Sequence, residues 1–283
     1  EIVQDERHPL TNRATQGQYP PGSTFKIVMA AAALETGTVQ PSTKIRCTGG
    51  YQFGKRIFRD WKIGGHGPMD VNQALVHSCD VYFYTVGQRM GIDTIASYAA
   101  QFGLGQETGI DLPSERVGIV PSPSWKEKVR HEPWFPGETI SAAIGQGYVT
   151  VTPLQMAHLI GTVANNGISY RPRLVKAVMD RATGQLVEIK PEITGRLSVK
   201  RDTLKVIQEG LAGVVTERRH ERSLCLSRSR ERPGPRKRLR CGRDRRRIFP
   251  RSSAIMPGLS RMLRLKHHGL PWRSWSNIWA MEA

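Results

Sequence analysis

The composition of this chain changes abruptly near residue 217, and the change limits where a folded core can form. Residues 218–283 carry 19 Lys or Arg and 4 acidic residues, whereas residues 1–217 carry 23 and 20. Most of the net charge of +18 therefore lies in the last quarter of the chain. The first segment has the charge balance of a globular domain, and the second has little hydrophobic periodicity. We expect residues 1–217 to hold the core and residues 218–283 to form a disordered basic tail.

The first segment contains well-marked helix signals. Tyr19–Gly22 should form a tight turn, and the apolar stretch that follows predicts a buried central helix over residues 24–35, ending at Gly37. Further N-terminal signals occur at Asp70 with Gln73, at Asp93, and at Thr152 with Pro153 and Gln155. Together these signals predict a helical lobe over about residues 23–215.

Strand and loop signals are fewer. Leu174–Met179 and Gln185–Ile189 are β-prone runs around a glycine-containing turn, which predicts a hairpin. Residues 109–137 are rich in proline and should be mostly loop. Asp202 is predicted to cap a last helix that ends near Val215.

Ser23 and Lys26 are the first candidates for chemistry. They stand three residues apart at the start of the predicted helix, so Lys26 can reach Ser23. A serine hydroxyl becomes an effective nucleophile once a base takes its proton, and a helix N-terminus favours developing negative charge. Taken alone, the pattern is common, and the simpler interpretation is a helix cap beside a solvated lysine.

Ser78 and Asp80 are a second pair of candidates. They flank Cys79 between two predicted helices, where a turn can present short polar side chains to a cleft. Residues separated by one position project to the same side of an extended turn. The alternative is that Asp80 only caps the helix that follows it.

Four motifs occur together along the chain: Tyr-Pro-Pro-Gly-Ser-Thr-Phe-Lys at 19–26, Ser-Cys-Asp at 78–80, Ile-Gly-Gln-Gly-Tyr at 144–148 and Thr-Pro-Leu-Gln at 152–155. In this order and spacing they resemble the transpeptidase domain of class B penicillin-binding proteins, and most closely their elongation-specific group. The resemblance covers residues 1–217. It implies an α/β (α+β) fold of the serine β-lactamase and penicillin-binding protein type, with a helical lobe and a central antiparallel sheet.

The resemblance also implies a role for each of four side chains. Ser23 would be the acylated nucleophile, Lys26 its general base and Ser78 part of the proton relay. Asp80 would occupy a position that more often holds asparagine in the wider superfamily. The implied reaction is peptidoglycan D,D-transpeptidation, in which the serine displaces D-alanine from a stem peptide and passes the acyl group to an amine. β-Lactams would leave a stable acyl enzyme.

The same resemblance implies partners and a location. Family members are held by an N-terminal membrane helix, with the catalytic domain at the periplasmic face of the inner membrane. This sequence begins inside that domain, and its longest apolar run, Ile27–Leu34, is far shorter than the roughly 20 residues of a membrane span. The expected partners are stem peptides, β-lactams and membrane proteins of the elongation complex, with no specific nucleic acid.

A possible metal site is formed by Cys47, Asp60, His66 and Cys79. Two thiolates, an imidazole and a carboxylate make a plausible tetrahedral zinc shell, although the spacing alone does not specify one. From the residues alone, the favoured alternative is a small buried cysteine, a surface-turn aspartate and a loop histidine. The resemblance favours zinc, because some members of the group carry it here. Such zinc would be structural, since all four ligands come from the protein.

One family motif, Lys-Thr-Gly followed by Ser or Thr, is missing from the chain. It belongs to the strand that borders the cleft, so we expect the central sheet to be incomplete and the present activity to be in doubt. Codons exist for Glu231–Lys237 that spell Gly-Lys-Thr-Gly-Thr-Ala-Gln in the neighbouring reading frame. We therefore hypothesise a frameshift, beginning near residues 217–219, which replaced the end of the domain by the basic tail.

Two other classes of function stay open. One is a β-lactam-binding receptor or a β-lactamase on the same scaffold, although no Glu-x-x-x-Asn element of the class A kind is evident. The other is nonspecific nucleic-acid binding by the arginine-rich stretch 236–247, which lacks interleaved aromatic residues. Cys225 and Cys241 lie in the predicted tail, so the cysteines do not indicate a disulfide framework.

Overall fold

The computed structural model describes residues 10–230, and for residues 218–230 it describes the helical backbone only. A short 3-10 turn, Gly22–Phe25, leads into the first of eight α-helices in this part of the chain. The helices are α1 (Lys26–Glu35), α2 (Val71–Val76), α3 (Asp80–Met90), α4 (Ile92–Gln101), α5 (Pro123–Arg130), α6 (Pro136–Ala142), α7 (Pro153–Ala164) and α8 (Arg201–Arg230).

The strands are short and pair only in twos within residues 10–230. They are β1 (Ile45–Cys47), β2 (Gly50–Phe53), β3 (Arg56–Arg59), β4 (Gly67–Met69), β5 (Ile168–Tyr170), β6 (Ala177–Met179), β7 (Leu186–Glu188) and β8 (Ile193–Arg196). The antiparallel pairs are β1 with β4, β2 with β3, β5 with β8, and β6 with β7. Within residues 10–230 the predicted helical lobe is therefore present, and the strands form four separate two-stranded pairs.

Helix α1 lies at the centre of the lobe. Eight of its ten residues are buried, and it packs against α2, α3, α4 and α8. Its run of alanines lets these neighbours approach closely, because methyl side chains occupy little space between the helix axes. The predicted buried central helix is confirmed, and the residues at its N-terminal end are fixed in a crowded interior.

Two of the predicted capping boxes are confirmed and one cap is wrong. The Asp70 side chain accepts from the Gln73 N–H at the start of α2, and Thr152 and Gln155 cap α7 reciprocally. Asp93 does not cap α4. Gly91 occupies that position with φ of 77°, and Asp93 lies in the first helical turn.

The proline-rich segment 109–137 is not all loop. Ser122 caps α5 and Pro123 starts it, which is a favoured helix opening. The α5 residue Lys126 is buried and donates to Glu138 of α6 at 2.7 Å. This ion pair joins two helices that the sequence did not predict, whereas the predicted hairpin is confirmed as β6 and β7.

Helix α8 is longer than predicted and continues to Arg230. The predicted cap at Asp202 is wrong, because the helix begins at Arg201 and Asp202 lies in its first turn. Glu35 of α1 accepts the Lys200 N–H at 3.0 Å and the Thr203 hydroxyl at this helix start. The proposed boundary at residue 217 thus falls inside a helix. Residues 231–283, with most of the predicted tail, lie outside the described residues. Across residues 10–230, none of the helices combines the length and apolar character that a membrane span requires.

Candidate active site and metal site

The turn that holds Ser23 is fixed backbone to backbone. The Gly22 N–H donates to the Gly145 carbonyl at 2.9 Å, directly before Ser23 in the chain. A Cβ atom on Gly145 would lie 2.5 Å from the Gly22 carbonyl oxygen, and Gly145 has φ of +67°. Only glycine meets both conditions without strain. The segment after α6 therefore seats the Ser23 turn at the start of α1.

Lys26 is the first residue of α1, and its side chain is 1% exposed. Its Nζ lies 2.5 Å from Oδ1 of Asp80, 2.8 Å from the Ser78 carbonyl oxygen and 3.1 Å from Ser78 Oγ. An ammonium group has three N–H donors, so these three acceptors satisfy it completely. The predicted site residues Lys26, Ser78 and Asp80 thus meet in one cluster.

Ser78 stands between the other two polar groups. Its hydroxyl donates to Ser23 Oγ at 2.9 Å and accepts from Lys26 Nζ. Among the described residues, Lys26 makes no direct hydrogen bond to Ser23, although the sequence spacing suggested that it could reach it. The connection from lysine to the predicted nucleophile therefore runs through Ser78.

The local backbone explains how Ser78 and Asp80 come to face α1. Ser78 has φ of 53°, a left-handed conformation that reverses the chain between α2 and α3. Cys79 is the N-cap of α3, and its Sγ accepts the Tyr82 N–H at 3.4 Å. Asp80 is not the cap, so the simpler interpretation of this residue is wrong. It begins the helix, where its negative charge is favoured by the helix dipole.

The four predicted metal ligands also lie together. Their donor atoms are all within 4.8 Å of one another. Oδ2 of Asp60 is 3.4 Å from both Cys47 Sγ and Cys79 Sγ, and His66 Nδ1 is 3.6 Å from Cys47 Sγ. Ligand atoms 2.0–2.3 Å from a tetrahedral centre would be about 3.3–3.8 Å apart. The donor set suits a zinc ion, and these three donor pairs have the spacing of a tetrahedral zinc site.

Burial sets the charge states in this cluster. It raises the pKa of the Cys79 thiol well above its ordinary range and lowers the pKa of His66. Burial also opposes ionisation of Asp60, but N–H donors from Lys62 and Val81 and the nearby His66 outweigh it and lower that pKa. The His66 Nε2 atom is buried and has no hydrogen-bond partner among residues 10–230. A cation would stabilise the Cys79 thiolate, which burial otherwise disfavours.

Sequence reasoning missed the contacts that join the two sites. Asp60 Oδ2 accepts the backbone N–H groups of Asp80 at 2.9 Å and Val81 at 3.1 Å. Trp61 Nε1 lies 3.1 Å from the carbonyl oxygens of both His77 and Ser78. These bonds join segments about 20 residues apart, and no local pattern announces them. The only sequence feature that could have indicated them is that Trp61 directly follows Asp60, a predicted metal ligand.

Comparison with known proteins agrees with this fold. The family model described as the penicillin binding protein transpeptidase domain matches residues 2–223. The chain therefore belongs to the penicillin-binding protein transpeptidase family, and its α+β fold is the one the sequence motifs implied.

Individual relatives come from the same family. Peptidoglycan D,D-transpeptidase MrdA of Acinetobacter baumannii is 46% identical over 171 residues, which are 60% of this chain and 25% of that protein. The structure of Pseudomonas aeruginosa PBP2 in complex with WCK 5153 matches with a TM-score of 0.67 and 33% identity, over 75% of this chain and 48% of the other. A complex of PBP2 and MreC from Helicobacter pylori matches with a TM-score of 0.65 and 33% identity, over 75% and 38%. The chain thus spans about a quarter of the curated relative's length.

Proposed function

We propose that this chain carries the acylation apparatus of a serine peptidoglycan D,D-transpeptidase, with Ser23 as the nucleophile. The observation that supports it best is the hydrogen-bonded path from Ser23 Oγ through Ser78 Oγ to Lys26 Nζ, with steps of 2.9 and 3.1 Å. The path joins a hydroxyl to a buried amine at the opening of a helix. A serine hydroxyl attacks a peptide carbonyl effectively when a nearby base can accept its proton.

The proposed reaction begins when Lys26 is a neutral amine. Ser23 Oγ attacks the penultimate D-alanyl carbonyl, its proton passes to Ser78, and the Ser78 proton passes to Lys26. The C–N bond to the terminal D-alanine then breaks, and the proton returns through Ser78 to the leaving amine. Asp80 holds the Lys26 head group in place through the 2.5 Å contact of its Oδ1 with Nζ. An amine from a second stem peptide then attacks the acyl carbonyl, the C–O bond to Ser23 breaks, and the proton lost by the amine returns to Ser23 Oγ.

The absent Lys-Thr-Gly motif limits the proposed activity. In the family, its lysine and hydroxyl hold the substrate carboxylate, and we expect acylation of this chain to be slow without them. We propose that the motif was lost through a frameshift near residues 217–219, upstream of Glu231–Lys237. Sequencing the coding DNA decides this point, because codons that do not spell Lys-Thr-Gly-Thr in the neighbouring frame contradict the frameshift.

Mass spectrometry after incubation with benzylpenicillin tests the proposed nucleophile. We expect one covalent adduct per chain, located on Ser23 and absent from the Ser23→Ala variant. An intact chain without any adduct, beside a penicillin-binding protein labelled in the same reaction, would overturn the proposal. Following the adduct over time separates stable acylation from the hydrolysis expected of a β-lactamase.

We propose that Cys47, Asp60, His66 and Cys79 are the ligands of a structural zinc ion. Zinc supplies charge neutralisation for two buried thiolates, and its four protein ligands leave no open position for substrate. The ligands come from β1, the loop before β4 and the N-cap of α3. They would therefore hold this loop against the segment that carries Ser78 and Asp80.

We further propose that the intact protein acts at the periplasmic face of the inner membrane with membrane proteins of the elongation complex. The support is the Helicobacter pylori relative, whose structure is a complex with MreC. Pull-down of the full-length protein with its MreC homologue tests this proposal. Failure of the two proteins to copurify from the same membrane fraction contradicts it. Any nucleic-acid binding by the arginine-rich stretch should be nonspecific and should vanish as salt rises.

A further inference from the structure

Trp61 is an exposed aromatic residue that is anchored at one atom. Its side chain is 52% exposed, yet its indole N–H is shared between two successive carbonyl oxygens, those of His77 and Ser78, each 3.1 Å away. The ring also meets His66 edge-on, with 5.2 Å between the ring centroids. A large apolar side chain in this position covers little core, so its contribution comes mainly through the polar contact.

The carbonyls that Trp61 binds belong to a strained part of the chain. Ser78 is one of four described non-glycine residues with positive φ, and this conformation costs free energy for any residue with a Cβ atom. The Ser78 carbonyl oxygen also accepts from Lys26 Nζ at 2.8 Å. Two donors, Trp61 Nε1 and Lys26 Nζ, thus hold the Ser78 carbonyl group next to the Ser78 side chain.

We propose that Trp61 is a positioning residue, which holds Ser78 in its left-handed conformation and so keeps the Ser78 hydroxyl between Lys26 and Ser23. This inference rests on the proposed acyl-serine function. Asp60, the preceding residue, completes the arrangement from the other end by accepting the N–H groups of Asp80 and Val81. Residues 60–61 therefore grip both ends of the turn that contains Ser78.

Trp61→Phe tests the polar contact, because it keeps an aromatic ring beside His66 and removes the N–H donor. Trp134→Phe is the matched control, since the Trp134 indole N–H donates to the Thr139 hydroxyl at 2.9 Å, outside this turn. Amide hydrogen exchange by NMR, with the full chain, reports the turn directly. We expect exchange at Asp80 and Val81 to accelerate roughly three- to tenfold in Trp61→Phe, and to stay at the parent rate in Trp134→Phe.

A double variant separates positioning from simple stabilisation. Ser78→Gly removes the cost of the left-handed conformation, since glycine adopts it freely. In the Ser78→Gly background, Trp61→Phe should therefore change exchange at Asp80 and Val81 less than twofold. An equal acceleration in both backgrounds, or none in either, would overturn the positioning role.

Acylation supplies the functional measurement. With a fluorescent penicillin, Trp61→Phe should lower the second-order acylation rate about three- to tenfold, while Trp134→Phe keeps the parent rate. A parent chain that is never acylated counts against the proposed function, and the exchange measurements still decide the role of Trp61. Faster exchange with an unchanged acylation rate would show that Trp61 orders the turn without serving the reaction, and would overturn the inference.

Discussion

Oδ2 of Asp60 accepts the backbone N–H of Asp80 at 2.9 Å. A single carboxylate oxygen thus connects the proposed zinc cluster to the helix start that carries the partner of Lys26. The same oxygen lies 3.4 Å from Cys79 Sγ, in the residue between Ser78 and Asp80. The proposed zinc site and the proposed acylation site are therefore adjoining parts of one hydrogen-bonded assembly, and we expect a substitution in the first to alter the second.

Removing a zinc ligand should lower both stability and acylation. For Cys47→Ala we expect less than one bound zinc per chain. We also expect the Tm to fall by more than about 5 °C, because the buried Asp60 and Cys79 side chains lose their cation. Elemental analysis and thermal unfolding measure these effects. Cys241→Ala is the cysteine control, since the sequence predicts no structural role for it, and equal behaviour of the two variants would argue against a metal site.

Replacing the buried lysine should abolish the proton path. Lys26→Met keeps the length of the side chain but removes the base and leaves Asp80 without its cation. We expect the rate of acylation by fluorescent penicillin to fall at least about 100-fold. Lys44→Met removes the same charge from an exposed position and should have no effect. A rate within a few fold of the parent would exclude Lys26 as the base.

The stability of the domain should depend on pH through His158. Burial lowers the pKa of His158, and the Tyr170 carbonyl, 3.0 Å from Nε2, offsets this only in part. Below the ordinary value of about 6.5, the unfolded chain takes up a proton before the folded one does. The contribution of His158 to stability is thus complete above pH 6.5 and is lost as the pH falls below it.

Denaturant unfolding at several pH values, with His158→Asn beside the parent, measures this dependence. The variant should lose less stability than the parent between pH 7 and pH 5. His131→Asn is the control, because His131 is exposed and has φ of 58°, which asparagine also tolerates. A parent whose stability rises on acidification over this range would contradict the sign.

Two helical glycines should respond in opposite ways to the same substitution. A Cβ atom on Gly87 of α3 would lie 2.5 Å from the Ala143 Cβ, whereas one on Gly161 of α7 would meet nothing within 4 Å. We expect Gly87→Ala to lower the free energy of unfolding by about 1–3 kcal/mol through overpacking. Gly161→Ala should raise it by about 0.5–1 kcal/mol. Denaturant titration measures both free energies. Destabilisation by Gly161→Ala would contradict the open space beside this position of α7.

The sequence predicted what local chemistry decides. The capping boxes at Asp70 and Thr152 depend on residues three positions apart, so the pattern and the structure agree. Asp93 failed as a cap because Gly91, two residues earlier, takes the non-helical conformation instead. Helix α5 was missed because the prolines of its segment outweighed a local Ser-Pro opening, and because its Lys126 is held by a distant Glu138.

The candidate site shows the same division. Motif order brought Ser23, Lys26, Ser78 and Asp80 forward together, and the structure gathers them. The order of the contacts within the cluster was not predictable, because it depends on the left-handed turn at Ser78. Nor was the part played by Trp61, whose partners lie 16 and 17 residues away.

The close approach of Gly145 to Gly22 limits which residues position 145 can accept. Any other L-residue at position 145 both strikes the Gly22 backbone and needs a backbone conformation that such residues rarely adopt. A mutation there would push the Ser23 turn out of place rather than adjust it slightly. We therefore expect no substitution at position 145 to keep the proposed nucleophile in place, so that variation around the proposed site is confined to positions where a side chain can change without moving the main chain behind Ser23.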